Sequence, residues 1–323
     1  MGSPDTLERI GEQVLIGLTN GSVIALIALG YTMVYGIIEL INFAHGDVYM
    51  LGSFLALTLL GTFGIGAAGG MSPAIGIPIL FLAAAAFCAL ANVSVERLVY
   101  RPLRSAPKIG LLVAAIGTSF ALQNLGLFWA GSPLEAFNGG TSPASPQHFR
   151  NLVGNGTAFS ITEHIRVSHK SALILATTLV LLVALVLLLK RTRLGRAMRA
   201  VAQDPTAAAL MGIDSNAVIR ATFAVGGALA GFGAVMSALY TNNVHFQMGY
   251  TRGIEAFTAA VLGGIGNLTG AVLGGILIGL VRAMVNLTPI GNEWGDAAVF
   301  SILVAILVFR PSGLLGESVR EKV

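Results

Sequence analysis

Long apolar runs separated by short polar breaks dominate the chain. Crossing a hydrocarbon core of about 30 Å takes about 20 helical residues. Seven runs reach or approach that length: 14–38, 48–66, 74–95, 109–130, 171–189, 221–241 and 297–309 with its flanks. None contains Asp, Glu, Lys or Arg. An eighth region, 254–287, is too long for one simple helix and is interrupted near its middle by Gly263, Gly264, Gly266, Asn267 and Gly270. The pattern predicts an all-α polytopic membrane protein of about 8 transmembrane helices, with a Gly-broken or re-entrant segment near residues 254–270.

Composition agrees: 55% of residues are hydrophobic and 11% charged, against roughly 25% charged in soluble domains. The net charge of +4 does not point to nucleic acid, because the basic residues sit in particular loops. Arg97, Arg101, Arg104 and Lys108 share one loop, Lys190, Arg191, Arg193, Arg196, Arg199 and Arg220 another, and Arg310, Arg320 and Lys322 the tail. By the positive-inside rule these face the cytoplasm. Arg9, Arg252, Arg150, Arg166 and Lys170 fall on the other side, the last three in a Gly-, Ser- and Pro-rich loop, 131–170, expected to be external and variable. Orientation also bears on the broken region. A single crossing by 254–287 would leave the basic tail outside, whereas a passage inward to about Gly266 and another outward from Thr269 brings it inside. Thirteen residues, 254–266, make only about 20 Å of helix, so the break is expected inside protein or along a cavity. The segment before the first run holds Asp5, Glu8, Arg9 and Glu12, has no basic n-region, and leads into a run too long for a signal peptide. It reads as a retained first span with its N-terminus outside. The single Cys88 says nothing about redox compartment.

One long polar segment, 190–220, lies between two apolar runs. Asp204 followed by Pro205 is a helix start: the carboxylate can accept orphan N–H groups, and proline at the first position has none to satisfy. Gly212 supplies the stop. Between them Ala207, Leu210 and Met211 fall at i, i+3 and i+4 and share a face. A helix this short is marginal alone and needs a partner, either lipid headgroups or a cytoplasmic subunit.

Other motifs are weaker. Gly266, Gly270 and Gly274 with Gly275 and Gly279, and Gly227 with Gly231, have the small-xxx-small spacing that lets helices approach closely in lipid. They fit packing within the chain, a pathway or a subunit interface. Residues 41–47, INFAHGD, concentrate Asn42, His45 and Asp47. One His and one Asp are too few for a metal site; Asn42 and Asp47 are expected to satisfy helix ends in an inner turn, with a substrate path as the other reading. The chain has no P-loop signature, no convincing nucleophile–base set and no carboxylate placed mid-span, so a self-powered proton carrier is disfavoured. Glu255 and Arg282 are expected near the outer boundary, where long side chains snorkel. A pathway without an engine, exposing a capped helix on its inner side, suits a membrane subunit driven by a separate ATPase.

The segments GLTNGSVIALIALGYTMVYGIIELINFAHGDVYMLGS (17–53), RLGRAMRAVAQDPTAAALMGID (193–214), IEAFTAAVLGGIGNLTGAVLGG (254–275) and FRPSGLLG (309–316) resemble the permease subunit of high-affinity branched-chain amino acid ABC importers, the LivH type. The similarity runs over nearly the whole chain and is weakest in 131–170. It implies a single permease domain in the bacterial inner membrane with a cytoplasmic C-terminus. It also implies a homologous M-type permease, two cytoplasmic ATPase subunits that bind ATP and Mg, and a periplasmic or extracellular substrate-binding protein; no cofactor is expected in this chain. The resemblance makes 193–213 the loop that engages an ATPase. Ala stands where the broader importer pattern has the glutamate of its EAA motif, so contact is expected through Ala207, Leu210 and Met211 with Arg196 and Arg199. Asn42, His45, Gly266, Asn267 and Gly270 are the candidates for a substrate path. Permeases for urea and short amides are close relatives, and a passive channel for a small neutral solute or a purely structural membrane anchor are the readings from other classes.

Overall fold

The computed structural model describes residues 6–104, 106–131, 144–154, 156–160, 165–288, 291–310 and 312–316. The apolar runs become helices. α1 (Thr6–Ile38) has 33 residues, about 50 Å at 1.5 Å per residue, and is followed by α2 (His45–Thr62). α3 (Pro73–Val95) starts on a proline at its first position and continues through a π-turn, Glu96–Tyr100, into the short α4 (Arg101–Leu103). Then come α5 (Lys108–Gly131) and α6 (His169–Arg191). The polar segment forms α7 (Arg193–Gln203) and α8 (Pro205–Leu210), and the remainder forms α9 (Ser215–Thr241), α10 (Met248–Gly263), α11 (Leu268–Val285) and α12 (Gly295–Phe309). Six of these are long and apolar enough to cross a membrane; α10 and α12 are shorter, and α2 is shortened in its apolar part by the polar start His45–Gly46–Asp47. The fold is the all-helical polytopic bundle expected.

α1 and α9 occupy the centre, while α5 and α6 are mostly exposed on the flank, where lipid would lie. Glycines set the closest approaches. A methyl group on Gly275 would stand 2.5 Å from the Cα of Ala25, joining α11 to α1, and Gly227 and Gly231 lay α9 against the backbone of α3 at Cys88 and Ala84. Of the small-residue spacings, Gly227, Gly231, Gly270, Gly274, Gly275 and Gly279 serve packing inside the chain, whereas Gly266 meets open space.

The interrupted region is a helix hairpin. α10 ends at Gly263, Gly264 and Gly266 take φ of +101° and +91°, and α11 returns antiparallel, with Gly270 and Gly274 against the backbone of Gly263 and Ala259. Only glycine takes such φ values without a Cβ penalty. α10 begins at Met248, earlier than the pattern indicated, and its 16 residues span about 24 Å. The tail covers the start of the turn, where Leu314 and Leu315 donate their N–H groups to the carbonyls of Leu262 and Gly263, at 2.8 and 3.0 Å, while its tip at Gly266 is exposed rather than enclosed in protein. The tail and the hairpin tip thus share one end of the bundle, and Gly266 lies beside Gly36 near the end of α1. That is the two-passage arrangement, and it gathers the basic loops and the tail at one end.

At the opposite end the helical pattern misses local structure. β1 (Gln147–His148) pairs antiparallel with β4 (Asn243–Val244), and β2 (Thr157–Ser160) with β3 (Arg166–Ser168). Asn242, in the left-handed conformation, clasps this layer by exchanging hydrogen bonds with the backbone of Phe149 and accepting one from Lys170. Residues 132–143, 155 and 161–164 of the loop 131–170, and the tail residues Arg320 and Lys322, lie outside the described residues.

Candidate functional site

A cavity of about 700 Å³ opens on the flank of the bundle between α1, the turn before α2, α5 and α10. Its apolar wall comes from Phe43, Ile116, Phe120, Ile254 and Phe257, and its polar wall from Tyr31, Ser119, Gln123, Gln247 and Thr251. Ile116, Ser119, Phe120 and Gln123 sit on one stripe of α5 because i, i+3, i+4 and i+7 share a helix face. Phe120 and Tyr250 are each 60% exposed, so the cavity is open toward whatever flanks this chain.

The segment 41–47 packs directly behind that wall, and its side chains do not do what the pattern suggested. The N-cap of α2 is Ala44, and no side chain caps it. Asn42 instead donates to Asn92 Oδ1 at 3.1 Å and accepts from the Tyr100 hydroxyl at 3.2 Å, and Asn92 in turn donates to the Phe223 carbonyl at 2.7 Å. The network ties the inner turn to α3 and α9. His45 is fully buried, edge-on to Tyr31 with ring centroids 4.9 Å apart, and close against Gly30; neither ring nitrogen has a protein partner. Asp47, 1% exposed, accepts a 2.5 Å hydrogen bond from Ser119 on the cavity wall. The hydrophobic pattern gives no sign of a buried carboxylate within a membrane helix, because the apolar run starts only at Val48. The partner that identifies it lies 72 residues away on α5.

Gly266, Asn267 and Gly270, the other candidates for a path, belong to the hairpin. Asn267 caps α11 by accepting from the Gly270 N–H at 3.0 Å and donates to the Leu315 carbonyl at 2.8 Å. None of the three lines the cavity. Glu255 and Arg282 are likewise not snorkelling at a boundary. Glu255, 2% exposed, pairs with Arg252 at 2.8 Å and with Arg282, and Arg282 also reaches Asp296 at 3.0 Å. This cluster clamps α10, α11 and α12 at the end opposite the hairpin tip. A third buried carboxylate, Glu96 in the π-turn, pairs with Arg104, which also donates to Asn216 at 2.6 Å.

At the basic end, three side-chain caps follow one another. Thr192 accepts from Gly195 N at 3.1 Å, Asp204 from Thr206 N and Ala207 N at 2.8 and 2.9 Å, and Asp214 from Asn216 N and Ala217 N at 2.9 and 3.2 Å. α8 is thus fixed at its start by Asp204 and Pro205 and ended by Gly212 at φ +82°. Ala208 faces the bundle, while Ala207 is exposed and Leu210 and Met211 are 84% and 83% exposed. Arg196 is exposed on α7; Arg199 donates to the Leu189 carbonyl and so satisfies the end of α6. Arg196, Ala207, Leu210 and Met211 are all exposed, while Arg199 is turned to the end of α6.

A helical bundle that spans the membrane, opens a cavity on its flank and presents a capped apolar helix at its basic end is built as a membrane transport component. The chain belongs to the family described as branched-chain amino acid transport system, permease component, which it matches over residues 13–307. It is 40% identical over 319 residues to the high-affinity branched-chain amino acid transport system permease protein BraD of Pseudomonas aeruginosa, with 97% of each chain covered. Its identity to the LivH permease protein of the corresponding Escherichia coli system is 36% over 317 residues, again covering 97% of each. A probable LivH permease of Methanocaldococcus jannaschii is 27% identical over 323 residues, covering 96% of this chain and 94% of that one.

Proposed function

We propose that this chain is one permease of an ATP-driven importer that carries branched-chain amino acids across the inner membrane. Its N-terminus lies outside and its C-terminus in the cytoplasm. Two cytoplasmic ATPase subunits hold ATP and Mg and dock on residues 190–220; a homologous M-type permease pairs with this one, and an external binding protein delivers the substrate. ATP binding closes the ATPases, the motion enters through residues 205–211, and the helices rock between outward and inward openings. The chain itself hydrolyses nothing.

The observation that carries this reading is α8: two large apolar side chains, Leu210 and Met211, stand more than four-fifths exposed on a rigidly capped helix at the basic end. A monomer gains nothing from that exposure, and a docked subunit would cover it. The flank cavity, mostly apolar with a few polar groups, falls within the roughly 300–1,000 Å³ of small-molecule sites and suits an apolar amino acid. Co-reconstitution of the chain with the second permease, ATPases and binding protein is expected to give leucine uptake that needs ATP and every partner. Leucine or urea flux through the chain alone, without ATP, would replace the importer with a passive channel.

A further inference from the structure

Of the buried carboxylates described, Asp47 is the exception. Glu96 is matched by Arg104 and Glu255 by Arg252 and Arg282, as a buried charge requires. Asp47 has no cationic partner among the described residues; Ser119 bonds its Oδ2, the Gln123 amide lies close by, and its buried Oδ1 accepts no hydrogen bond of standard geometry. Oδ1 lies beside Gly249, which lines the cavity; a Cβ at that position would stand 2.8 Å from it and cover it. Oδ2 is reached by Ser119, whose own oxygen accepts from Gln123 Nε2 at 3.3 Å, and both of these side chains line the cavity.

The direction of these bonds decides what the wall offers. Gln123 donates one N–H to Ser119 and Ser119 donates to Asp47, so the Ser119 hydroxyl hydrogen is turned away from the cavity toward the carboxylate. The Gln123 carbonyl, its second N–H and a Ser119 lone pair remain at the wall, with the unpaired charge of Asp47 buried directly behind them. Such a row repels a carboxylate or phosphate and welcomes a group with several N–H donors and a positive charge. We propose that Asp47, Ser119 and Gln123 form a subsite that takes the ammonium group of an amino acid in the cavity, its side chain lying against Phe120, Ile254 and Phe257. The proposal rests on the importer reading above and assigns within it the residues that recognise the charged end of the substrate. An ammonium supplies donors for the Ser119 and Gln123 oxygens and the positive charge that Asp47 lacks, and it leaves when the amino acid moves on.

The test uses the complete reconstituted importer, with leucine uptake and substrate-stimulated ATP hydrolysis measured in the same vesicles. If the unaltered complex takes up no branched-chain amino acid, the importer reading itself fails. Given that uptake, Asp47→Asn is expected to lower it at least tenfold with the complex still assembled. Adding Gln123→Glu to Asp47→Asn moves the carboxylate one place along the row and is expected to restore at least a third of the uptake, a rescue that a merely structural role would not give. Gln123→Lys alone, in which Asp47 is intact, sets a tethered ammonium in the subsite and is expected to block uptake. Normal uptake by Asp47→Asn, the absence of rescue in an assembled double variant, or normal uptake by Gln123→Lys each overturns the proposal. Should Asp47→Asn not assemble, Gln123→Lys decides alone.

Discussion

Asn42, His45 and Asp47 lie within six residues of one another, yet each is used differently. Asn42 is structural: it holds Asn92 and Tyr100, and through Asn92 the carbonyl of Phe223. Truncating it leaves two buried polar partners short of a bond, at about 1–3 kcal/mol for each group left unsatisfied. Asn42→Ala is therefore expected to lower the thermal unfolding midpoint of the purified chain by several degrees; an unchanged midpoint would assign Asn42 to the path instead. His45 is packed too tightly against Gly30 and Tyr31 to line the cavity itself, whereas Asp47 reaches it through Ser119. The amino-acid string marks all three as polar groups in an apolar setting and cannot rank them, because the partners of Asn42 stand 50 and 58 residues away and that of Asp47 72.

Among the elements, α8 was the most legible. Asp–Pro at the start, glycine at the stop and a three-residue apolar face are local signals, and each has the conformation they imply. A β-branched residue at Gly212 must leave φ +82°, the left-handed region that costs roughly 1–2 kcal/mol per residue. Leu210→Asp instead keeps the backbone and puts a charge on the proposed docking face. Both variants are expected to abolish uptake while the protein still reaches the membrane, scored by transport together with immunodetection in the membrane fraction. Normal uptake by both would remove the docking role. The hairpin α10–α11 was legible in outline, since glycines and Asn267 broke an overlong run. Its starting residue was not, because residues 248–253 carry Tyr250, Thr251 and Arg252 and look like loop until Arg252 is seen paired with Glu255. The strands escaped notice for a simpler reason: two to four residues are too few to show a period of two.

For the whole molecule, orientation is the testable consequence. The basic loops, hairpin tip and tail share one end and the strand layer the other. Cys88 is fully buried, which leaves labelling of introduced cysteines readable. Cysteines replacing Leu210 or Leu314 are expected to react with a membrane-impermeant maleimide only after permeabilisation of spheroplasts, and one replacing Thr157 before it. The reverse pattern would invert the assignment and detach α8 from any cytoplasmic ATPase.

The sequence alone determined that this is a polytopic helical membrane protein, where its spans fall, where the broken one turns, and that a capped helix interrupts its basic loop. These follow from burial in lipid and from backbone hydrogen bonding within a few residues, forces whose signatures are contiguous in the chain. Only the tertiary structure decided that Asp47 stands behind the cavity wall, that Glu255 is clamped by two arginines, and that most of the small-residue spacings pack this chain against itself. A cavity has no sequence of its own: it is the space left where α1, α5 and α10 diverge, and the polar groups around it acquire meaning only from partners that folding brings within 3 Å or so of them.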